Sequence, residues 1–320
     1  MARYLITGGA GFIGSHLAET LVRQGQEVVV LDNLDTGRRE NLAPARVGPG
    51  RLTFIEGDVT DPDTCRRAME GVDYVLHQAA RPSVQRSLED PLRSHRVNVD
   101  GGLNVLLAAR DQGVKRVVVA SSSSVYGDRE DPQAPKREDM DPRPVSPYAA
   151  DKTAVEHYCR AFHRVYGLES LCLRYFNVFG PRQDPGSPYA AVIPKFLFAL
   201  LEGRAPTVHG DGRQSRDFTY VDNVVEANLL ACRAPRAQGQ VVNVASGRSH
   251  DLLYLLEVLG RLLGVEPRPR FGPPRPGDVR HSLADLTRAR ELLGYQVRVS
   301  FEEGLARLVD LARQGKYLPR

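Results

Sequence analysis

ARYLITGGAGFIGSH, residues 2–16, decides how the rest of the chain is read. A short apolar run, Tyr4 to Thr7, leads into three glycines spaced GxxGxxG, Gly8, Gly11 and Gly14, and an amphipathic stretch from Ile13 to Gln24 follows at once. Strand, tight glycine turn and helix in that order bring backbone N–H groups close to a pyrophosphate seated on the helix N-terminus. A glycine turn of purely structural use can show the same spacing, so the strand-turn-helix setting carries the reading. The chain has no GxxxxGK[ST] sequence, which argues against a P-loop nucleotidase.

Outward from this unit, short apolar runs recur at Glu27 to Leu31, Leu52 to Glu56, Tyr74 to His77, Arg116 to Ala120 and Ser170 to Arg174. The intervals are helix-length and hold amphipathic stretches at Pro91 to Gln112 and Tyr148 to Tyr166. That alternation predicts βαβ units, hence an α/β fold with a Rossmann-like doubly wound parallel sheet over residues 1–176. After Asn177 glycine and proline turns punctuate shorter elements. The expectation there is a smaller α/β substrate-binding domain over 177–320, with segments around 217–250 returning to the first domain. Residues 265–281, VEPRPRFGPPRPGDVRH, read as an extended linker or lid, followed by a helical pattern near Leu283 to Leu293.

Composition excludes several classes. At 320 residues, with 42% hydrophobic and 26% charged, the chain is outside the disordered, collagen-like and coiled-coil ranges. A formal net charge of +4 with no basic run gives no footprint for nucleic acid. No apolar segment reaches the roughly 18 residues that a membrane span needs. The N-terminus reads as a core strand rather than a signal peptide, so a cytoplasmic location is expected. Cys65, Cys159, Cys172 and Cys232 form no CxxC and sit at no metal-ligand spacing, which predicts reduced thiols and no metal site.

Asp32 follows Gly14 by 18 residues, at the end of the second apolar run. An acid there accepts hydrogen bonds from adenosine ribose hydroxyls and repels a 2′-phosphate, favouring NAD over NADP. Arg38 and Arg39 keep NADP as a minor alternative. Asp58-Val59 and Gln78-Ala79-Ala80 follow the third and fourth strands, where a doubly wound sheet presents its loops to a dinucleotide.

Tyr148 and Lys152 make a YxxxK pair on a predicted helix, placing both side chains on one face a turn apart. The serine run Ser121 to Ser124 ends the fifth strand, over the same carboxyl edge of the sheet.

Together GxxGxxG, Asp58, the serine run and YxxxK resemble the extended, nucleotide-sugar-modifying branch of the short-chain dehydrogenase/reductase superfamily. SSSSVYGD, SPYAADK, LRYFNVFGPRQDP, VIPKF, GDGRQSRDFTYVD and RPGDVRHSLAD are similar to segments of the UDP-glucose 4-epimerase family and its N-acetylhexosamine-accepting members. The likeness covers nearly the whole chain.

The resemblance implies a bound NAD and a UDP-sugar substrate. Tyr148 as phenolate takes the proton of the sugar 4-hydroxyl while the C4 hydride passes to the nicotinamide, giving a 4-keto sugar. A free phenol titrates near 10, so the Lys152 ammonium and the nicotinamide charge are expected to draw it down. Ser122, preferred over Ser123 because it lies four residues before Tyr126, bonds the reacting oxygen. The resemblance also puts Phe12, Ile13, Asn33, Asn98 and Tyr175 in the cofactor site. It puts Ser83 beside the substrate, Asn177, Arg216 and Arg275 on the diphosphate, and Asp278 on the uridine ribose. Ser282 stands where the family lines its hexose pocket, and a small residue there leaves room for a 2-acetamido group.

The expected activity is therefore NAD-dependent 4-epimerisation of UDP-glucose and UDP-galactose, with UDP-GlcNAc and UDP-GalNAc also accepted. The rivals are a UDP-glucuronate 4-epimerase or decarboxylase, whose pattern RPGDVRHSLAD matches less well, and a non-catalytic NAD-binding regulator. A 4,6-dehydratase is disfavoured, since the serine run carries no neighbouring acid pair. A homodimer is expected, through the helices at Pro91 to Gln112 and Tyr148 to Tyr166.

Overall fold

The computed structural model describes residues 1–129, 131, 134–184, 186, 191–235, 238–273 and 280–318. Strand β1 (Arg3–Thr7) turns through the glycines into helix α1 (Phe12–Arg23), and β2 (Glu27–Asp32), β3 (Arg51–Glu56), α2 (Pro62–Ala68) and β4 (Tyr74–His77) follow. Helices α3 (Val84–Glu89) and α4 (Pro91–His95) pass through a one-turn π bulge, Arg96–Asp100, into α5 (Gly101–Asp111). Strand β5 (Arg116–Ser122), helix α6 (Pro147–Tyr166) and β6 (Ser170–Tyr175) complete this run.

The remaining elements are β7 (Val178–Phe179), α7 (Val192–Leu201), β8 (Thr207–His209), β9 (Ser215–Arg216), β10 (Thr219–Tyr220), α8 (Val221–Arg233) and β11 (Gln240–Val244). After them come β12 (His250–Asp251), α9 (Leu252–Leu263), β13 (Arg270–Gly272), α10 (Thr287–Leu293) and α11 (Phe301–Arg313).

Seven strands form one parallel sheet in the order β11-β6-β5-β4-β1-β2-β3. Its strands read as near-continuous Val, Leu and Ile because both faces are covered. On one face α1, α8 and α10 bury Leu17, Leu21, Val224, Ala289 and Leu293 against Ile6, Val30, Val118 and Val242. On the other, α2, α5 and α6 bury Cys65, Leu106, Val155 and Phe162 against Leu5, Val29, Val75 and Val117. Each such Leu, Val or Phe contributes about 1.5–3 kcal/mol on leaving water. A third core joins α7, α9 and α11 around Phe196, Leu255, Leu259, Leu305 and Leu308. Strand β11 pairs with β6 from Gln240↔Leu171 to Val244↔Tyr175, so the chain re-enters the sheet after leaving it at Tyr175. It returns once more through Ala284 to Tyr295, a segment that the sequence reading left outside the first layer.

Two local readings need correction. The Pro91 to Gln112 stretch is broken by the π bulge, whereas its periodicity predicted one helix. Part of the expected lid is ordered sheet, because β13 pairs in parallel with β8 (Arg270↔Thr207 to Gly272↔His209). All four cysteines are free and buried. No helix among the described residues is long and apolar enough to cross a membrane.

Candidate active site

The sheet order reverses between β1 and β4, and the strand ends there open a crevice, the usual place for a ligand in such folds. The first turn is built for close approach. Gly8 has φ +67, and a Cβ on it would lie 2.7 Å from the backbone N and Cα of Ala79 after β4. A Cβ on Gly14 would lie 2.3 Å from the Gly8 carbonyl oxygen, so only glycine lets α1 close on the turn. Gly11 caps α1 without a side-chain hydrogen bond, which leaves the positive end of the helix facing the crevice.

The crevice holds a cavity of about 270 Å³, and every residue read as cofactor-binding lines it except Asn98. The cradle therefore fits a dinucleotide. The Asp32 carboxylate accepts from Ala10 N (2.9 Å) and Leu34 N (2.8 Å), two of the roughly four acceptor positions a carboxylate offers. Burial pushes its pKa up against those hydrogen bonds. At Asp58 burial also pushes upward, but the Thr60 and Asn33 hydrogen bonds prevail and lower it. Arg38 and Arg39 line neither this cavity nor its neighbour. They pair instead with Asp184 (2.8 Å) and Glu56 (2.5 Å), an arrangement that favours a free 2′-hydroxyl.

Asn98 stands behind this cavity, not in its wall. Its Oδ1 accepts from Arg81 N (2.8 Å), and its Nδ2 donates to Ser94 Oγ (3.1 Å) and Asp151 Oδ2 (3.2 Å). These bonds tie the loop after β4 to α4 and α6.

A second cavity, of about 440 Å³, meets the first at Phe12, Ile13, Pro82, Ser121, Tyr148 and Tyr175. Ser122, Asn177, Arg216 and Ser282 line it. Ser83 does not; its Oγ caps α3 by accepting from Arg86 N (3.2 Å), while its neighbours Pro82 and Val84 form the wall. Arg275 and Asp278 lie outside the described residues.

Helix α6 presents the YxxxK pair. Ser146 Oγ caps it by accepting from Ala149 N (3.2 Å), Pro147 opens it and Gly167 closes it in the left-handed conformation. Tyr148 and Ser122 line the same cavity, and the Lys152 ammonium lies 5.8 Å from the phenol ring centroid. Lys152 Nζ donates to the Ala120 carbonyl (2.8 Å), and burial pulls its pKa down to about 8. The expected depression of the Tyr148 phenol by Lys152 is not found in the protein alone. Burial raises the phenol, the nearby Ser122 hydroxyl opposes that rise, and Asp151 adds to it.

Several lining groups escaped the sequence reading. Buried Lys136 and half-buried His281 face the second cavity. Among the described residues its walls carry Lys136, Lys152's neighbour Tyr148 and Arg216 but no carboxylate. Asn228 Nδ2 donates to Tyr175 Oη (2.8 Å), which also bonds the Gln78 amide. Ser121 Oγ donates to Glu156 Oε1 (2.6 Å), and Arg174 clamps that carboxylate through Nε (2.8 Å) and Nη2 (2.6 Å). Nothing local in the sequence marks these, since each partner lies on a different element.

A family model for the NAD dependent epimerase/dehydratase family matches residues 4–245. The chain belongs to that family. It is 42% identical over 313 residues to a UDP-glucose 4-epimerase of Mycolicibacterium smegmatis, covering 97% of this chain and 98% of the relative. A UDP-N-acetylglucosamine 4-epimerase from Methanobrevibacter ruminantium, solved in complex with UDP-N-acetylmuramic acid, superposes with TM-score 0.92. It is 40% identical, with 98% of this chain and 99% of that one covered. The Thermus thermophilus UDP-glucose 4-epimerase complex with NAD superposes with TM-score 0.87 at 39% identity, covering 97% and 99%. As a member of this NAD-dependent epimerase/dehydratase family, the protein uses NAD, and the glycine cradle and Asp32 are the features that suit it.

Proposed function

We propose that the protein is a UDP-hexose 4-epimerase that interconverts UDP-glucose and UDP-galactose and also UDP-GlcNAc and UDP-GalNAc. The observation that carries this reading is the position of Tyr148 at the junction of the dinucleotide cavity and a second cavity, which Ser122 also lines and whose described walls hold no carboxylate. Bound NAD would supply a nicotinamide as acceptor and donor of the C4 hydride. Tyr148 takes the proton of the sugar 4-hydroxyl, and Ser122, in the wall of the same cavity, holds the same oxygen. Lys152, fixed by Ala120, keeps a positive charge beneath the phenol ring and holds the nicotinamide ribose.

Epimerisation requires the keto sugar to turn over, so binding strength has to come from the UDP part. Arg216 and Asn177 from the described wall, with Arg275, bind the diphosphate, and Asp278 binds the ribose; a guanidinium matches phosphate oxygens with a fixed fork of donors. Ser282, 8% exposed, leaves the hexose wall open to an N-acetyl group. One observation favours a second reading. The Lys136 cation in the same cavity would suit a hexuronate carboxylate, as in a UDP-glucuronate 4-epimerase or decarboxylase. Exposed Leu88, Leu92, Tyr158 and Val165 on α3, α4 and α6 support a homodimer through these helices.

The test is direct. The purified protein is incubated without added cofactor with UDP-galactose, UDP-GalNAc and UDP-glucuronate in separate vessels, and products are separated by chromatography. Conversion of the first two to their 4-epimers is expected, driven by retained NAD. Turnover of UDP-glucuronate alone, with or without carbon dioxide, would replace the proposal by the second reading; no turnover of any would remove it.

A further inference from the structure

Once Tyr148 has taken the proton of a sugar 4-hydroxyl, that oxygen gains negative charge and then becomes a carbonyl oxygen. Ser122 helps at this stage only by offering it a proton. A serine hydroxyl has one proton and two lone pairs, and it rotates to suit its surroundings unless neighbours fix it.

Two bonds from one neighbour fix it here. Ser122 ends β5, and its Oγ accepts from the backbone N–H of Ser124 (3.2 Å) and from Ser124 Oγ (2.9 Å). Both acceptor positions are thereby taken, and neither bond uses the proton of Ser122. Ser122, Ser124 and Tyr148 all line the second cavity.

The turn that carries Ser124 is held on every side. It is a short 3₁₀ helix, Ser123–Tyr126, in which Val125 and Tyr126 are buried. Tyr126 Oη donates to Asn243 Oδ1 (2.6 Å), and the Arg174 guanidinium lies 4.6 Å from the centroid of its ring. Gly127 N donates to Ser124 O (3.1 Å) with φ +56, and a Cβ there would run into the Arg143 carbonyl. On the strand side, Ser121 Oγ gives its own proton to Glu156 (2.6 Å). Ser122 therefore sits between two serines whose protons are committed, one to Glu156 and one to Ser122 itself.

The owner of the proton between Ser122 and Ser124 decides what Ser122 does. If it belonged to Ser122, that serine would turn a lone pair toward the sugar oxygen just as charge grows there. With the proton on Ser124, the proton of Ser122 is left for the cavity. An oxygen that accepts two bonds is also polarised into a stronger donor.

We propose that Ser124 is a positioning residue for the reaction: by filling both acceptor positions of Ser122, it fixes that hydroxyl as a proton donor to the sugar 4-oxygen. This rests on the roles given above to Tyr148 and Ser122. The contribution of Ser124 passes through Ser122 alone.

Neutron diffraction from D2O-exchanged crystals of the NAD-loaded protein tests the arrangement without turnover. The deuterium between the two oxygens should be bonded to Ser124 Oγ, and that of Ser122 should point into the second cavity. Kinetics test the consequence. Ser124→Ala should lower kcat for UDP-galactose by about two- to tenfold, the worth of one hydrogen bond, with KM unchanged. In a Ser122→Ala background, compared in single turnovers, Ser124→Ala should cost nothing further, because the group it acts through has gone.

A deuterium bonded to Ser122 and aimed at Ser124 would overturn the proposal. So would an unchanged kcat in Ser124→Ala. A loss confined to KM, or one of equal size in the Ser122→Ala background, would overturn it too, since neither runs through Ser122. A protein inactive on every UDP-sugar would defeat the proposed function, yet the neutron map would still decide which serine owns the proton.

Discussion

Replacing Gly8 by Ala should damage this protein far more than the same change at Gly113, and the comparison isolates what the cofactor turn demands. Both glycines are left-handed, with φ +67 and +65. Alanine at either site costs roughly 1–2 kcal/mol of backbone strain. At Gly113 a new Cβ meets nothing within 4 Å, whereas at Gly8 it lies 2.7 Å from two backbone atoms of Ala79. Those atoms belong to a strand end and cannot swing aside like a side chain. The turn has to retreat by about 0.7 Å to reach ordinary contact at 3.4 Å, and overpacking of that kind costs roughly 1–3 kcal/mol more.

Gly113→Ala should therefore lower Tm by about 2 °C and Gly8→Ala by roughly 5 °C, at about 1.5 °C per kcal/mol for a chain of 320 residues. NAD released by heat from the purified variants and measured by absorbance gives the functional half of the comparison. Gly113→Ala should keep its full complement. Gly8→Ala should lose most of it, because the displaced turn is the one proposed to meet the pyrophosphate. Equal Tm losses with NAD retained in both would refute the claim that close approach, rather than φ alone, demands glycine here.

Four further outcomes are expected. Tyr148→Phe should lower kcat by about 10²–10⁴-fold with Tm and NAD content unchanged; a loss under tenfold would exclude the phenol as base. Ser282→Tyr should suppress turnover of UDP-GalNAc and spare UDP-galactose, and an equal loss on both would contradict a place in the hexose wall. Glu156→Gln leaves Arg174 charged and buried, and urea unfolding should show a loss of about 3–5 kcal/mol; less than 1 kcal/mol would mean that the pair is dispensable.

Acid should also weaken the fold. Burial lowers the pKa of His16 to about 4 and that of His77 to about 3. Between these values and the ordinary 6.5 the unfolded chain binds the extra protons. Their contribution to stability is thus full above pH 6.5 and falls as pH drops toward 4 and then 3, by up to about 1.4 kcal/mol per unit for each imidazole. His16→Gln keeps a donor for the Pro181 carbonyl, which His16 Nε2 contacts at 3.1 Å. It should show a shallower decline of urea midpoint between pH 7 and pH 5; an identical slope would show that His16 does not contribute.

The elements that line the first cavity were legible because each is encoded within a few residues. Gly8, Gly11 and Gly14 specify a turn by their backbone dihedrals and missing side chains, and Tyr148 and Lys152 share a face because a helix repeats every 3.6 residues. The strand ends at Asp32, Asp58 and Gln78 could be ranked along the cavity because parallel strands all present the same edge to it.

Lys136, His281 and Asn228 could not be found that way. Lys136 reaches the cavity because its amide donates to Leu283 O (2.8 Å) and its carbonyl accepts from Asp285 N (3.0 Å), pairings between segments almost 150 residues apart. The bonds of Asn98 were invisible for the same reason, since only the packed structure reveals that Arg81, Ser94 and Asp151 meet its amide. Sequence by itself determined the local conformations, which depend on short-range sterics and periodicity. Tertiary structure decided which buried polar groups were left to face a ligand, because that depends on what every distant segment has already satisfied.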